Sequence, residues 1–188
     1  MQVTSAYNVQ IKQCAGMNCF KTTMAVFRQA VDYAVPKIDE MWAQISAVPV
    51  ADSQRRNYIE HLFHKTKDNP SPVYGDFDIM FKNMPSYFRR AVLTKATGIV
   101  SSYRSNYENW MENGSLGRPP VLPQESHAVP VFYRGNTFKE PDKDEKEILK
   151  EKMPDEKNVL KLKLYDGKKW DWYFIPLSSV DMKYIQKH

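Results

Sequence analysis

Residues 2–12, QVTSAYNVQIK, alternate with a period of two. Val3, Tyr7, Val9 and Ile11 share one parity, and Gln2, Thr4, Asn8, Gln10 and Lys12 take the other. That alternation marks a strand with one buried face. A single strand is not stable by itself, and every other period-two segment lies near the opposite end of the chain. The two ends must therefore meet in one sheet or small barrel, with the intervening residues inserted as a second lobe. The fold class predicted is α+β, with the sheet built from residues 1–19 and 118–188 and an inserted helical lobe over residues 20–117.

The C-terminal partner is clear in NVLKLKLYDGKKWDWYFIPL. Leu160, Leu162 and Leu164 alternate, Asp166-Gly167 suits a type I′ turn, and Trp170, Trp172 and Phe174 alternate again. HAVPVFYRGNTF reads as a strand turning at Gly135-Asn136. Between these segments, the charged run KEPDKDEKEILKEKMPDEK reads as a solvated loop or a short surface helix.

The middle of the chain has helical periodicity. A helix is predicted from an N-cap at Thr22 or Thr23, with Phe27, Val31, Ala34, Ile38, Met41, Trp42 and Ile45 on its apolar stripe and a kink or break at Pro36. Ser53 is placed to cap a second helix in which Tyr58, Leu62 and Phe63 face inward. The third helix is PSYFRRAVLTKATGIVSSYRSNYENW, residues 85–110, ~39 Å long if helical throughout. Its apolar stripe runs through Phe88, Val92, Ala96, Ile99, Tyr103, Tyr107 and Trp110, and Gly114 and Gly117 end it.

The polar side of that third helix is unusual. No Asp or Glu occurs from Ile79 to Tyr107, while Lys82, Arg89, Arg90, Lys95 and Arg104 fall inside the window. A solvated face ordinarily mixes both signs. The stripe Ser86, Arg90, Thr94, Thr97, Ser101, Arg104 and Ser105 combines small hydroxyls, which allow close approach, with guanidinium forks matched to phosphate or guanine. Two readings fit, a nucleic-acid groove or a solvated face whose acids happen to be absent. Arg90 and Arg104 lie off the apolar stripe, so reversing their charge is expected to leave the fold intact.

Net charge points the same way. The chain carries +5, and residues 140–188 hold 11 basic and 11 acidic side chains, so all the excess lies in residues 1–139. A polyanionic partner suits that imbalance. Tyr133, Arg134 and Asn136 flank the Gly135 turn, where an aromatic ring and a guanidinium could hold a base and its phosphate. The N-terminus lacks a signal-peptide pattern, no run reaches membrane-spanning length, and the two cysteines give no disulfide framework, so a cytoplasmic protein without a membrane partner is expected.

Catalytic motifs are missing. There is no phosphate-binding loop and no nucleophile elbow. Cys14-x4-Cys19 with His61-x2-His64 does not match a zinc spacing, so no metal site is predicted. The acidic residues of the charged run alternate with lysines instead of forming a pair of metal-ion clamps. No catalytic residue and no cofactor are assigned.

The ordered segments FRQAVDY, residues 85–110, PPVLP, VPVFYRGNTF and WDWYFIPLSS resemble the N-terminal half of the transposon-encoded TnpB (OrfB) proteins, RNA-guided DNA nucleases related to type V CRISPR effectors. The resemblance implies a β-barrel wedge domain interrupted by a helical recognition lobe, holding a structured guide RNA and its heteroduplex with target DNA. It also implies a RuvC-like nuclease domain after the wedge, and PLSSVDMKYIQKH falls about where that domain would begin. The expectation is a nucleic-acid-binding module that does not cut DNA alone, with a separate nuclease subunit or second copy as a further partner and Mg²⁺ relevant only if a nuclease domain is supplied. Arg89, Arg90, Lys95, Ser101 and Arg104 are then the first candidates for backbone contacts, with Tyr87 a candidate to stack on or read a base. Tyr133, Arg134 and Asn136 come second. The alternative is a protein-interaction scaffold using the aromatic-rich hairpin.

Overall fold

The computed structural model describes residues 11, 14, 16–50 and 53–187. Among these it is a mixed α and β fold, with seven helices and one open three-stranded antiparallel sheet. The chain divides into two compact units, one of Thr23–Val131 and one joining the segment up to Thr22 with Phe132–His188.

In the helical unit, α1 (Met17–Glu40) starts nearly two turns earlier than predicted, with its first residues belonging to the other unit. Thr23 is buried, and Thr22 bonds back to the Asn18 carbonyl, so neither threonine caps the helix. Nor does Pro36 end it. The helix runs on to Glu40, and the break comes at Met41, after which α2 (Trp42–Ala47) begins. Ser53 precedes α3 (Gln54–Phe63) but has a left-handed backbone, φ 62°, and makes no capping bond. Arg55 serves the junction instead, donating from Nε to the Val48 carbonyl at 2.8 Å and from Nη2 to Ser46 at 2.9 Å. Those carbonyls end α2 and have no partner within a helix so short.

Phe77 on α4 (Asp76–Met80) centres an aromatic cluster with Tyr33, Phe63 and Phe81, at ring-centroid separations of 4.9–5.9 Å. α5 (Ser86–Glu112) is one unbroken helix of 27 residues, followed by positive φ at Gly114 and Gly117. Its buried residues run from Phe88 to Val100. Beyond Val100 the expected apolar stripe emerges, and Tyr107 is exposed.

In the sheet unit, β1 (Phe138–Lys139), β2 (Val159–Tyr165) and β3 (Trp170–Pro176) lie in that order. β1 is far shorter than the strand expected over residues 127–138. Its predicted turn is present, with Gly135 at φ 78° and the Tyr133 carbonyl accepting from Asn136, Thr137 and Phe138. The hairpin also differs in its loop. Tyr165 pairs with Trp170, leaving four residues in the turn rather than two. Asp166 closes it by accepting the Lys168 and Lys169 amides at 2.7 and 2.8 Å.

One sheet face carries Leu160, Leu162 and Leu164 with Tyr173 and Ile175, and packs on Leu177, Met182, Phe132 and Phe138. The predicted N-terminal strand lies outside the described residues except for Ile11, which bridges Leu177 in antiparallel sense. α6 (Lys143–Lys152) forms from the charged run behind an Asp142–Glu145 capping box. α7 (Ser179–Lys187) follows Ser178, whose hydroxyl accepts the Asp181 amide and donates to its carboxylate. Among the described residues no helix is long and apolar enough to cross a membrane.

Candidate nucleic-acid interface

The missing acids of the α5 face are supplied by other helices. Glu60 on α3 accepts from Arg89 at 3.1 and 3.3 Å and, on its other oxygen, from Arg90 at 3.1 Å. Asp39 on α1 accepts from Arg104 Nε at 2.6 Å through its carboxylate, and from Nη2 at 3.2 Å through its carbonyl. Arg89 is buried at 8% exposure, which leaves it little surface on which to meet a phosphate. Arg90 and Arg104 are half-buried, and their guanidinium groups also lie over the Tyr87 and Tyr103 rings. The arginine part of the stripe is thus engaged within the protein.

The hydroxyl part is placed differently. Thr94, Thr97, Gly98 and Ser101 line a groove of about 480 Å³, together with Trp42 from α2 and Arg55, Arg56 and Ile59 from α3. Among the described residues no carboxylate lines it. Thr97 spends its proton on the Leu93 carbonyl at 2.7 Å, which leaves the oxygen as an acceptor. Arg56 is exposed and makes no hydrogen bond or ion pair among the described residues, and Lys95, beside the groove residue Thr94, is in the same condition. A Cβ built on Gly98 would meet nothing within 4 Å, so the helix surface is open to close approach there. The groove can therefore offer charge, hydroxyls and an indole to an anionic ligand.

Tyr133, Arg134 and Asn136 form one tight turn in the sheet unit. Tyr133 donates its amide to Thr137 Oγ1 at 2.6 Å, Arg134 bonds the Ile185 carbonyl and lies over Phe138, and the Asn136 amide reaches the Arg134 carbonyl at 3.3 Å. All three are exposed, but their polar groups stabilise the turn and its link to α7. His64 Nδ1 lies 2.9 Å from the Asp78 carboxylate. No cluster of three metal-ligating side chains occurs among the described residues.

The sequence places Trp42 on the apolar stripe of the first helix and singles out neither Gly98 nor the capping role of Arg55. It takes Trp172 only as part of the strand alternation and does not single out Lys139, Lys161 and Lys163, which share with it the sheet face opposite the leucines. Period-two counting through LKLKLY would have placed the two β2 lysines on that face.

The profile of the Aq_aa04 family matches residues 4–166. A curated protein of Aquifex aeolicus (strain VF5), "Uncharacterized protein aq_aa04", is 35% identical over 80 residues, 41% of this chain. The matched stretch is 43% of that relative, so the chain spans less than half the length of the protein it resembles. No solved structure matches.

Proposed function

We propose that this chain, which belongs to the Aq_aa04 family, is a nucleic-acid-binding module. In this reading its helical unit holds a structured RNA and the DNA paired with it, in the manner of the recognition half of TnpB-type RNA-guided systems. The groove among α2, α3 and α5 carries the proposal. It joins Arg56, which makes no ion pair among the described residues, to the hydroxyls of Thr94 and Ser101, and no described carboxylate lines it. Such a surface suits a phosphate backbone, which needs cations and small donors and is repelled by carboxylates. In the finer form of the reading, the N-terminal segment and the sheet belong to one wedge-like barrel domain, which the helical lobe interrupts in sequence. A nuclease subunit and a guide RNA are then the partners.

Arg56→Glu combined with Lys95→Glu tests the proposal, because both side chains are exposed and make no ion pair among the described residues. The variant should keep its circular dichroism and melting temperature. Its affinity for duplex nucleic acid should fall, and the log–log salt slope should shrink by roughly two units. An unchanged affinity and slope in the folded variant would defeat the reading. A discrete RNA retained on purification of the full chain would support it.

A protein-docking module is the second reading, and one observation favours it. Past Val100, α5 exposes apolar surface in which Met111 is 54% and nearby Leu116 81% exposed. A partner bound there would show little salt dependence, the opposite of the expectation above.

A further inference from the structure

Trp172 on β3 sits at the focus of three lysines. Lys139 Nζ lies 4.9 Å from the ring centroid, Lys163 Nζ 5.2 Å and Lys161 Nζ 5.5 Å. The register explains the gathering. Lys139 on β1 pairs with Lys161 on β2, and Lys163 pairs with Trp172, so all four side chains leave the same face of the sheet. That face is the reverse of the one carrying Leu160 and Leu164.

Three ammonium groups around one ring repel each other, and few carboxylates among the described residues answer them. Glu145 of α6 bonds Lys161, which is buried. Asp142 feels Lys161 and Lys139 only at longer range, after its bonds to Glu145. Asp171 lies on the opposite sheet face and is held chiefly by Lys169, with Lys163 a weaker influence. Lys139 and Lys163 are half-buried, and their ammonium groups make no hydrogen bond among the described residues. Cations held near an aromatic face gain from its quadrupole, but that attraction does not remove their mutual repulsion.

We infer that the Lys139–Lys163–Trp172 face of the sheet seats an unpaired nucleic-acid strand, with a base on the indole and its flanking phosphates on the two lysines. The inference rests on the nucleic-acid reading above but uses residues of the other unit. Charge selects a polyanion, and the ring narrows the choice. In a duplex the base faces are already stacked, so only an unpaired base can meet Trp172 face to face. The carboxylates of an acidic peptide would satisfy the lysines but gain nothing from the face of the indole. The flexible lysine stems can swing from the ring to a phosphate without moving the strands.

The test uses the full chain and fluorescence anisotropy with labelled oligouridylate, oligothymidylate and a duplex of equal length. Trp172→Leu should weaken single-strand binding about tenfold, and Trp172→Phe should restore most of it. Lys139→Gln with Lys163→Gln should lower the single-strand salt slope by about 1.4, and this pair keeps the assay informative if Trp172→Leu does not fold. A preference between the two single strands assigns the seat to RNA or to DNA. Unchanged single-strand affinity and slope in the folded lysine variant would overturn the inference. So would equal competition by polyglutamate, or a duplex that binds as tightly and responds equally to the Trp172 change. If Arg56→Glu/Lys95→Glu leaves duplex binding intact while the Trp172 and lysine variants lose the single strand, the groove reading fails and the sheet seat stands. The reverse pattern removes the seat alone.

Discussion

Glu60 on α3 and Arg89 on α5 form an ion pair that is nearly withdrawn from water, with the two side chains only 12% and 10% exposed. The fork of Arg89 reaches one carboxylate oxygen through both Nη2 and Nε. Removing one partner of such a pair leaves the other as a buried, uncompensated charge. Glu60→Ala should therefore destabilise the protein by about 3 kcal/mol, seen as a lower urea midpoint with an unchanged slope. Exchanging the pair together, Glu60→Leu with Arg89→Met, should recover most of the loss. A double variant as unstable as the single one would show that the pair does more than satisfy itself.

Arg90 and Arg104 bear directly on the expectation that their charge can be reversed without cost. A glutamate at position 90 would face Glu60, and one at position 104 would face Asp39, in each case where an ion pair now stands. Each reversal should cost about 1–2 kcal/mol through the lost pair and the new repulsion. Lys95→Glu, at an exposed position with no ion-pair partner among the described residues, should be neutral. Thermal melts of the three variants decide this, and a flat series would place the ion pairs outside the energetics of the fold.

How far the sequence reached depends on whether a feature is local. The α5 helix was legible because Phe88, Val92 and Ala96 repeat at helical spacing, and the β2–β3 pairing because Leu160, Leu162 and Leu164 alternate. The destination of the α5 arginines was not legible. Glu60 and Asp39 lie 29 and 65 residues away from Arg89 and Arg104, and no local pattern links them. Pro36 misled for a related reason. A proline disfavours a helix interior by about 3 kcal/mol, yet packing of Ala34, Val35 and Ile38 around it holds the helix together. In the hairpin, the Asp-Gly signal identified the turn but not its length, because the Asp166 carboxylate supports a four-residue loop.

Acid should weaken the sheet unit. Asp142 is held below the usual carboxylate range by the Glu145 amide that donates to it, Asp166 by the Lys169 and Lys168 amides, and Asp171 by the Lys169 ammonium. A carboxylate whose folded pKa is depressed stabilises the fold above its unfolded value, near ~3.9, and that contribution is lost as pH falls through the folded value. Stability should thus hold above about pH 4 and decline below it. Asp166→Asn should flatten that decline, since an amide keeps an acceptor in the turn at every pH. Urea midpoints measured at neutral and acidic pH would read the difference. An identical acid response would exclude Asp166 as a contributor.

Gly167 sits in the hairpin loop at φ 101°, a backbone conformation that side chains seldom adopt. Space is not the obstacle, since a Cβ there would come no closer than 3.9 Å to Thr22 Cγ2. Gly167→Val should cost about 1–2 kcal/mol from backbone strain alone, and Gly167→Asn should cost less. The two melting temperatures provide the comparison, and equal values would mean the loop relaxes to a different turn.

Gly98 separates stability from function in one substitution. It lies within α5, and a Cβ there would touch nothing within 4 Å. Gly98→Ala should therefore stabilise the helix by about 0.5–1 kcal/mol, because the unfolded chain loses freedom while the folded one gains no clash. The same residue lines the groove beside Thr97 and Ser101. If a phosphate backbone approaches the helix there, the new methyl group stands in its path. The variant should then melt at a higher temperature and bind nucleic acid more weakly, a combination that general destabilisation cannot produce. Paired melting curves and anisotropy titrations at one salt concentration would establish it. Higher stability with unchanged affinity would mean that any strand in the groove passes clear of this turn of α5, and contact would then have to come from the Arg56 side.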